Sequence, residues 1–108
     1  MQVSGKSHGF NYLNDVISGI AEMYFIALKH VESCIRNDSG RNGFQSFVMI
    51  VNRAYYQLSD EEQEIINNDF FYEAYPDWWK GRYPKSSYYR LRKRSMKKFK
   101  EAFENEIK

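Results

Sequence analysis

Cysteine and long apolar runs are scarce in this sequence, and each scarcity excludes a class of protein. Cys34 is the only cysteine among 108 residues, so the chain can form neither an internal disulfide nor a thiolate metal cluster. That composition argues against an oxidised, secreted scaffold. The longest apolar stretch, residues 16–28, contains Glu22 and is too short to cross a bilayer. Residues 1–9 lack the apolar segment of a signal peptide. We therefore expect a reduced, cytoplasmic protein that does not associate with membranes.

Proline is equally scarce, since both prolines fall within residues 76–84. Strand-like alternation is also missing, whereas apolar residues recur at spacings of three and four, which is the helical period. Two such stripes, separated by turn-forming residues at 37–43, predict an antiparallel helical hairpin over residues 10–58. Residues 1–9 are expected to form a loose N-terminus.

A capping box marks the start of a third helix. Ser59 can accept a hydrogen bond from the amide of Glu62, whose carboxylate can reach back to the amide of Ser59. This helix must end near Pro76, because the residue before a proline avoids helical geometry. Its expected buried side consists of Ile65, Ile66, Phe70 and Phe71.

Residues 76–100 predict a helix-turn-helix. A short helix at residues 77–80, capped by its first residue, is followed by a glycine-containing turn. A last helix then begins at Pro84, where a proline costs little, and runs to about Glu104. The whole chain is thus expected to be one all-α domain of about five helices, in which the hairpin is followed by a helix-turn-helix part at residues 59–104.

Charge is segregated along the sequence, although the net charge is only +2. Residues 60–77 carry seven acidic and no basic side chains, whereas residues 80–100 carry ten basic and no acidic ones. The basic block falls on the last helix, outside its apolar stripe, and favours contact with nucleic acid. The acidic block can face water, bind a basic partner or neutralise the neighbouring basic helix, and the sequence leaves these three interpretations open. The apolar stripe of the last helix consists of Tyr88, Leu91, Ser95, Phe99 and Phe103.

In a helix-turn-helix, the N-terminal residues of the second helix enter the major groove of DNA and contact base edges. The candidates for that role are Lys85, Ser86, Ser87, Tyr89, Arg90 and Lys93. Other basic residues are candidates for phosphate contacts, which supply affinity rather than sequence information. They are Lys80, Arg82, Arg94, Lys97 and Lys98.

Two stretches of the sequence carry a family resemblance. The first is Leu-Ser-Asp-Glu-Glu-Gln-Glu-Ile-Ile at residues 58–66, and the second lies on the last helix. The second stretch contains Lys85-Ser86-Ser87-Tyr88-Tyr89-Arg90, followed by Ser95-Met96-Lys97-Lys98-Phe99. Together they resemble region 4 of bacterial sigma factors. They are still more similar to the related ArpU-type late transcriptional regulators of Gram-positive phages and to small sigma-like proteins of mollicutes. The resemblance covers residues 55–103.

The resemblance implies a DNA-binding transcription regulator that acts at promoter DNA with or through RNA polymerase. Its departures are Pro84, which stands where a capping serine is usual, and Trp78-Trp79, which replace a longer and more aliphatic helix. One of these tryptophans is expected to pack in the core. The alternative function is a protein-interaction module that binds RNA polymerase or another factor without touching DNA. Binding of RNA or of an anionic membrane surface is a third option, and a homodimer stays open.

Nothing in the sequence indicates an enzyme, a metal site or a cofactor. His30 and Cys34 lie four residues apart on one helix face, but no third residue orients them as a catalytic pair. Two ligands also do not make a zinc site. A glycine-rich phosphate-binding loop is absent. We therefore expect a non-catalytic protein.

Overall fold

Four α-helices and one π-helical turn make up most of the part of the chain that the structure describes. The computed structural model describes residues 5–37, 42–72 and 74–108. Within those residues there is no strand, which confirms the expected all-α fold, and no helix has the length and apolar character needed to span a membrane. The elements are α1 (Gly5–Asn37), α2 (Asn42–Tyr56), α3 (Asp60–Ile66), the π-helical turn (Asn67–Phe71) and α4 (Lys85–Ile107).

The first two helices pack against each other as the predicted hairpin. Ile17 and Ile20 of α1 meet Val51 and Ala54 of α2 in the main core, because apolar residues three or four positions apart share one helix face. The tip of the hairpin, residues 38–41, lies outside the described residues.

The N-terminus differs from its prediction. Helix α1 begins at Gly5, so the expectation of a loose segment is wrong for residues 5–9. Residues 1–4 lie outside the described part of the chain. The helical pattern therefore extends farther toward the N-terminus than the apolar stripe that begins at Leu13.

Helix α4 closes the main core. Met96, Phe99 and Ala102 pack among the buried side chains of the hairpin and those of the π-helical turn, and the first two of these are fully buried. Burial of an aromatic or sulfur-containing side chain of this size contributes about 1.5–3 kcal/mol of transfer free energy. The C-terminal helix is therefore part of the core and does not merely flank it.

A second, smaller cluster anchors the start of α4. It is formed by Ile65 of α3, Trp79 of the loop before α4, and Tyr88 of α4 itself. The rings of Trp79 and Tyr88 are stacked, with centroids 4.3 Å apart and planes 6° from parallel. This stack confirms that one of the two tryptophans packs in the core.

The capping box predicted for α3 is present. The amide of Glu62 donates to Ser59 Oγ at 3.3 Å, and the amide of Ser59 donates to Glu62 Oε1 at 2.9 Å. The α-helical geometry ends at Ile66 and continues as the π-helical turn, in which the amide of Tyr72 reaches back five residues to the carbonyl oxygen of Asn67 at 2.8 Å. Helical structure thus ends before Pro76, as the proline required.

The short helix predicted at residues 77–80 is absent. Hydrogen-bonded turns occupy residues 76–82, with bonds such as that from the amide of Lys80 to the carbonyl oxygen of Asp77 at 3.0 Å. Asp77, predicted to be a helix cap, has a φ of 67°, which breaks right-handed helical geometry and which Asp tolerates better than most residues. The first helix of the expected helix-turn-helix at residues 76–100 is therefore missing, and α3 is the α-helix that precedes α4.

Candidate nucleic-acid interface

One face of α4 is buried and the opposite face is basic. Four exposed side chains on this opposite face are separated by four, three and four residues, and side chains so spaced lie above one another on a helix. We call them the outer stripe, which consists of Ser86, Arg90, Lys93 and Lys97. The buried face consists of Tyr88, Ser95, Met96, Phe99 and Ala102. The helix thus presents three cations in a row to solvent.

Asp69 binds the inner edge of α4 and the loop before it. Its Oδ2 accepts hydrogen bonds from Arg92 Nε at 2.9 Å and from the hydroxyl of Tyr88, and its Oδ1 accepts one from Trp78 Nε1 at 2.8 Å. The guanidinium of Arg92 also lies 4.9 Å from the centroid of the Phe70 ring. Burial and the bond to Asp69 raise the pKa of the Tyr88 phenol well above its usual value, so this hydroxyl remains a donor. Asp69 therefore orients the first half of α4 against the π-helical turn.

Glu62 is the buried partner of two further cations. The residue is only 1% exposed, and its Oε2 lies 3.1 Å from Arg94 Nε and 3.7 Å from Lys98 Nζ. Burial alone would raise the pKa of Glu62, but the amide of Ser59 together with Arg94 and Lys98 outweighs that effect and holds the pKa below its usual value. The carboxylate is ionised at neutral pH and draws both cations toward α3.

Two basic residues of the loop before α4 also have acidic neighbours. Arg82 pairs with Glu64, and Lys80 Nζ lies 3.5 Å from Asp77 Oδ2. Both cationic side chains remain largely exposed, so these pairs contribute little stability. Within the described part of the chain, the basic residues of α4 that form no ion pair are Lys85, Arg90, Lys93 and Lys97.

The structure supports one of the three interpretations of the acidic block, the neutralisation of neighbouring basic residues. Glu62, Glu64 and Asp69 face the chain's own basic residues, so much of the block neutralises its neighbour. Asp60 and Glu61 are exposed in the first turn of α3, where the positive end of the helix dipole favours acidic side chains. Glu73 lies outside the described residues.

Every residue predicted to contact DNA is at least partly accessible. Ser87 is half-buried, and Tyr89 is 46% exposed beside the buried Tyr88. The fold brings Ser86, Arg90, Lys93 and Lys97 together in the outer stripe and separates Lys80 and Arg82 from it, on the preceding loop. The exposed members of the predicted set are Lys80, Arg82, Lys85, Ser86, Tyr89, Arg90, Lys93, Arg94, Lys97 and Lys98.

The anchoring role of Asp69 is the functional feature that sequence reasoning missed. An acidic residue directly before the apolar pair Phe70 and Phe71 is a signal for a buried, partnered carboxylate, because an ionised side chain is placed there only with donors around it. Its three donors come from positions 9 to 23 residues away. No local sequence pattern identifies them in advance.

Of the pair His30 and Cys34, the structure describes only the side chain of His30. The ring of His30 stacks on Phe44 with centroids 4.3 Å apart, which gives it a packing role. The side chain of Cys34 lies outside the described part of the structure. Among the residues that the structure describes, no group of three or more His, Cys, Asp and Glu side chains is arranged to hold a metal ion.

Comparison with known proteins does not identify relatives. No protein family, no curated protein and no solved structure matches this chain.

Proposed function

We propose that this protein is a transcription regulator that binds duplex DNA through the outer stripe of α4. The observation that carries the proposal is the division of charge on this helix. Arg92, Arg94 and Lys98 are paired with carboxylates of the same chain, whereas Arg90, Lys93 and Lys97 face solvent without an ion pair in the described structure. Cations without internal partners are the ones available to phosphates and bases.

The dimensions of the outer stripe suit a DNA groove. From Ser86 to Lys97 the helix rises by about 16 Å, and the major groove, about 12 Å wide, admits an α-helix. Arg90 can make the bidentate contact that arginine forms with guanine, and Lys93 and Lys97 can contact phosphates. Tyr89 flanks the stripe and offers a hydroxyl to the backbone. Because the second of the two stretches that carry the sigma region 4 resemblance lies on this helix, the proposal extends to promoter DNA, to action with or through RNA polymerase and to a cytoplasmic location.

The structure weakens the premise of the alternative function. The acidic block and the surplus of aromatic residues favour a protein-interaction module, but Glu62, Glu64 and Asp69 of that block bind cations of their own chain. Their carboxylates are engaged within the fold rather than presented to a basic partner. The outer stripe is the larger source of charge available to a binding partner, and it is positive.

The test measures the affinity of the protein for a random-sequence duplex library by fluorescence anisotropy. Duplexes that bind are then selected from the library and sequenced. Arg90→Glu is expected to weaken binding by tenfold or more, because an anion replaces a cation on the contact face. The matched control is Lys29→Glu, the same charge change at an exposed position of α1. Its affinity is expected to stay within about twofold of the wild type.

Two results contradict the proposal. One is an absence of binding by the wild type even at low salt, and the other is an equal loss in the two variants. Competition with double-stranded RNA and with anionic vesicles addresses the third option. Tighter binding of either competitor than of duplex DNA assigns the basic helix a different partner.

A further inference from the structure

A small cavity lies apart from the proposed DNA surface. It is formed where α1, α2 and the π-helical turn meet, and it has a volume of about 240 Å³. No residue of α4 lines it. Its lining residues are Tyr24, Val51, Asn52, Tyr55, Tyr56, Asn67, Phe71 and Tyr72.

The lining of this cavity is aromatic and uncharged. Aromatic rings form most of the wall, two carboxamides are set among them, and no charged side chain takes part. A metal ion or a phosphate would find no opposite charge here. Burial raises the pKa values of the Tyr24 and Tyr55 phenols, so these two hydroxyls are neutral at physiological pH.

The carboxamide of Asn52 is held in place by the hairpin. Its Oδ1 accepts a hydrogen bond from the Tyr24 hydroxyl at 3.1 Å, and its amide nitrogen makes no hydrogen bond in the described part of the structure. Tyr24 is itself fixed by an edge-to-face contact with Phe71, with centroids 5.5 Å apart. A fixed amide donor beside aromatic rings is an arrangement that recognises the edge of a flat, polar ring.

The π-helical turn shapes the opposite wall. Asn67 and Tyr72, joined by the i to i−5 hydrogen bond, both line the cavity. Short π-helical segments often occur at functional sites, because the extra residue in the turn changes the direction of the side chains. This wall supplies a second carboxamide and the exposed ring of Tyr72.

We infer that the cavity binds one neutral, planar heterocycle of the nucleobase class. Aromatic rings stack on a base, and an asparagine amide can pair with its hydrogen-bonding edge. The volume is below the roughly 300–1,000 Å³ of sites for drug-sized ligands, which limits the occupant to a single ring system. This inference does not depend on the proposed DNA surface.

The test is saturation-transfer NMR on the full chain with adenosine, uridine, ribose and p-cresol. Both nucleosides are expected to bind with a Kd of about 1 mM, as is usual for so small a ligand, and to receive saturation through their base protons. Ribose is not expected to bind. A result in which neither nucleoside binds, or in which ribose or p-cresol binds as tightly as the nucleosides, overturns the inference.

Variants locate the binding. Asn52→Ala is expected to weaken nucleoside binding about tenfold, because it removes the fixed donor. Tyr56→Ala, at a position 72% exposed, tests the same site with little risk to the fold. The control is Tyr75→Ala, equally exposed at 73% and outside the cavity. Equal affinity in lining variants and control overturns the inference, and Arg90→Glu is expected to leave nucleoside binding unchanged.

A nucleobase can reach this cavity either free or as part of a strand. A single-stranded tetranucleotide distinguishes these sources. Equal affinity for the nucleoside and the tetranucleotide indicates a free ligand, whereas tighter tetranucleotide binding that Tyr56→Ala removes indicates a base within a strand. Tetranucleotide binding that Tyr56→Ala leaves unchanged, with no nucleoside binding, overturns the inference.

Discussion

The carboxylate of Asp69 and the guanidinium of Arg92 form an ion pair 2.9 Å long in which both side chains are less than one-fifth exposed. This pair joins the π-helical turn to α4 across 23 residues of sequence. Removal of either partner leaves the other charge poorly solvated, so a single substitution in this pair is strongly destabilising.

Substitution of that carboxylate should therefore destabilise the protein. Asp69→Asn is expected to lower the free energy of unfolding by about 3 kcal/mol, since Arg92 loses its counter-charge in a partly buried site. Urea denaturation at pH 7 measures the change. The matched control is Asp77→Asn, whose pair with Lys80 is exposed and whose effect should stay below about 1 kcal/mol. Similar losses in the two variants would contradict the structural role of Asp69.

The pH dependence of stability should reflect Glu62. Its pKa is lowered in the folded state, so its contribution is present above its unfolded value near 4.5 and is lost as the pH falls through the lower folded pKa. Glu62→Gln should reduce the loss of stability between pH 5 and acid pH. Urea midpoints measured across that range test this, with the exposed Glu61→Gln as control. If Glu62→Gln lost stability at acid pH to the same extent as the wild type, this contribution of Glu62 would be contradicted.

The capping box should contribute a measurable part of the stability of α3. Ser59→Ala removes the acceptor for the amide of Glu62 and is expected to cost about 1 kcal/mol. Ser59→Thr retains a hydroxyl and should recover most of that loss. Thermal unfolding followed by circular dichroism compares the melting temperatures of Ser59→Ala and Ser59→Thr. Equal melting temperatures in these two variants would contradict a stabilising role for the Ser59 cap.

The salt dependence of DNA binding should report the number of unpaired cations. If Lys85, Arg90, Lys93 and Lys97 supply the contacts, a plot of log Kobs against log salt should have a slope of about −3 to −4. Lys97→Gln should reduce the magnitude of the slope by about one. A slope of about −6 in the wild type would mean that the three cations paired with Glu62 and Asp69 are also released to phosphates.

Much of the fold is predictable from the sequence because helical periodicity is local. The stripes of α1, α2 and α4, and the Ser59 box, depend on residues within a few turns of each other. The helix predicted at residues 77–80 is wrong because two features there are not local in sequence. Trp79 is positioned by tertiary stacking on Tyr88, and Asp77 has a left-handed φ that no local sequence pattern indicates.

The candidate site is also predictable from the sequence only in part. The outer stripe on α4 follows from the spacing of its cations, and its exposure matches the prediction. Which basic residues are neutralised does not follow, because Glu62 reaches Arg94 across 32 residues and Asp69 reaches Arg92 across 23. The separate cavity was also missed, because its walls come from three elements whose tyrosines look individually like core residues.

Helix α4 supplies Met96, Phe99 and Ala102 to the main core, and this has a consequence for biosynthesis. Until residue 102 has left the ribosome, the apolar faces of α1 and α2 have no cover from α4, so the nascent chain carries exposed hydrophobic surface up to that point. The acidic segment around Glu62 and Asp69 emerges before its basic partners and keeps that intermediate negatively charged over residues 60–77. Emergence of α4 then supplies the missing part of the core and the compensating positive charge in a single helix.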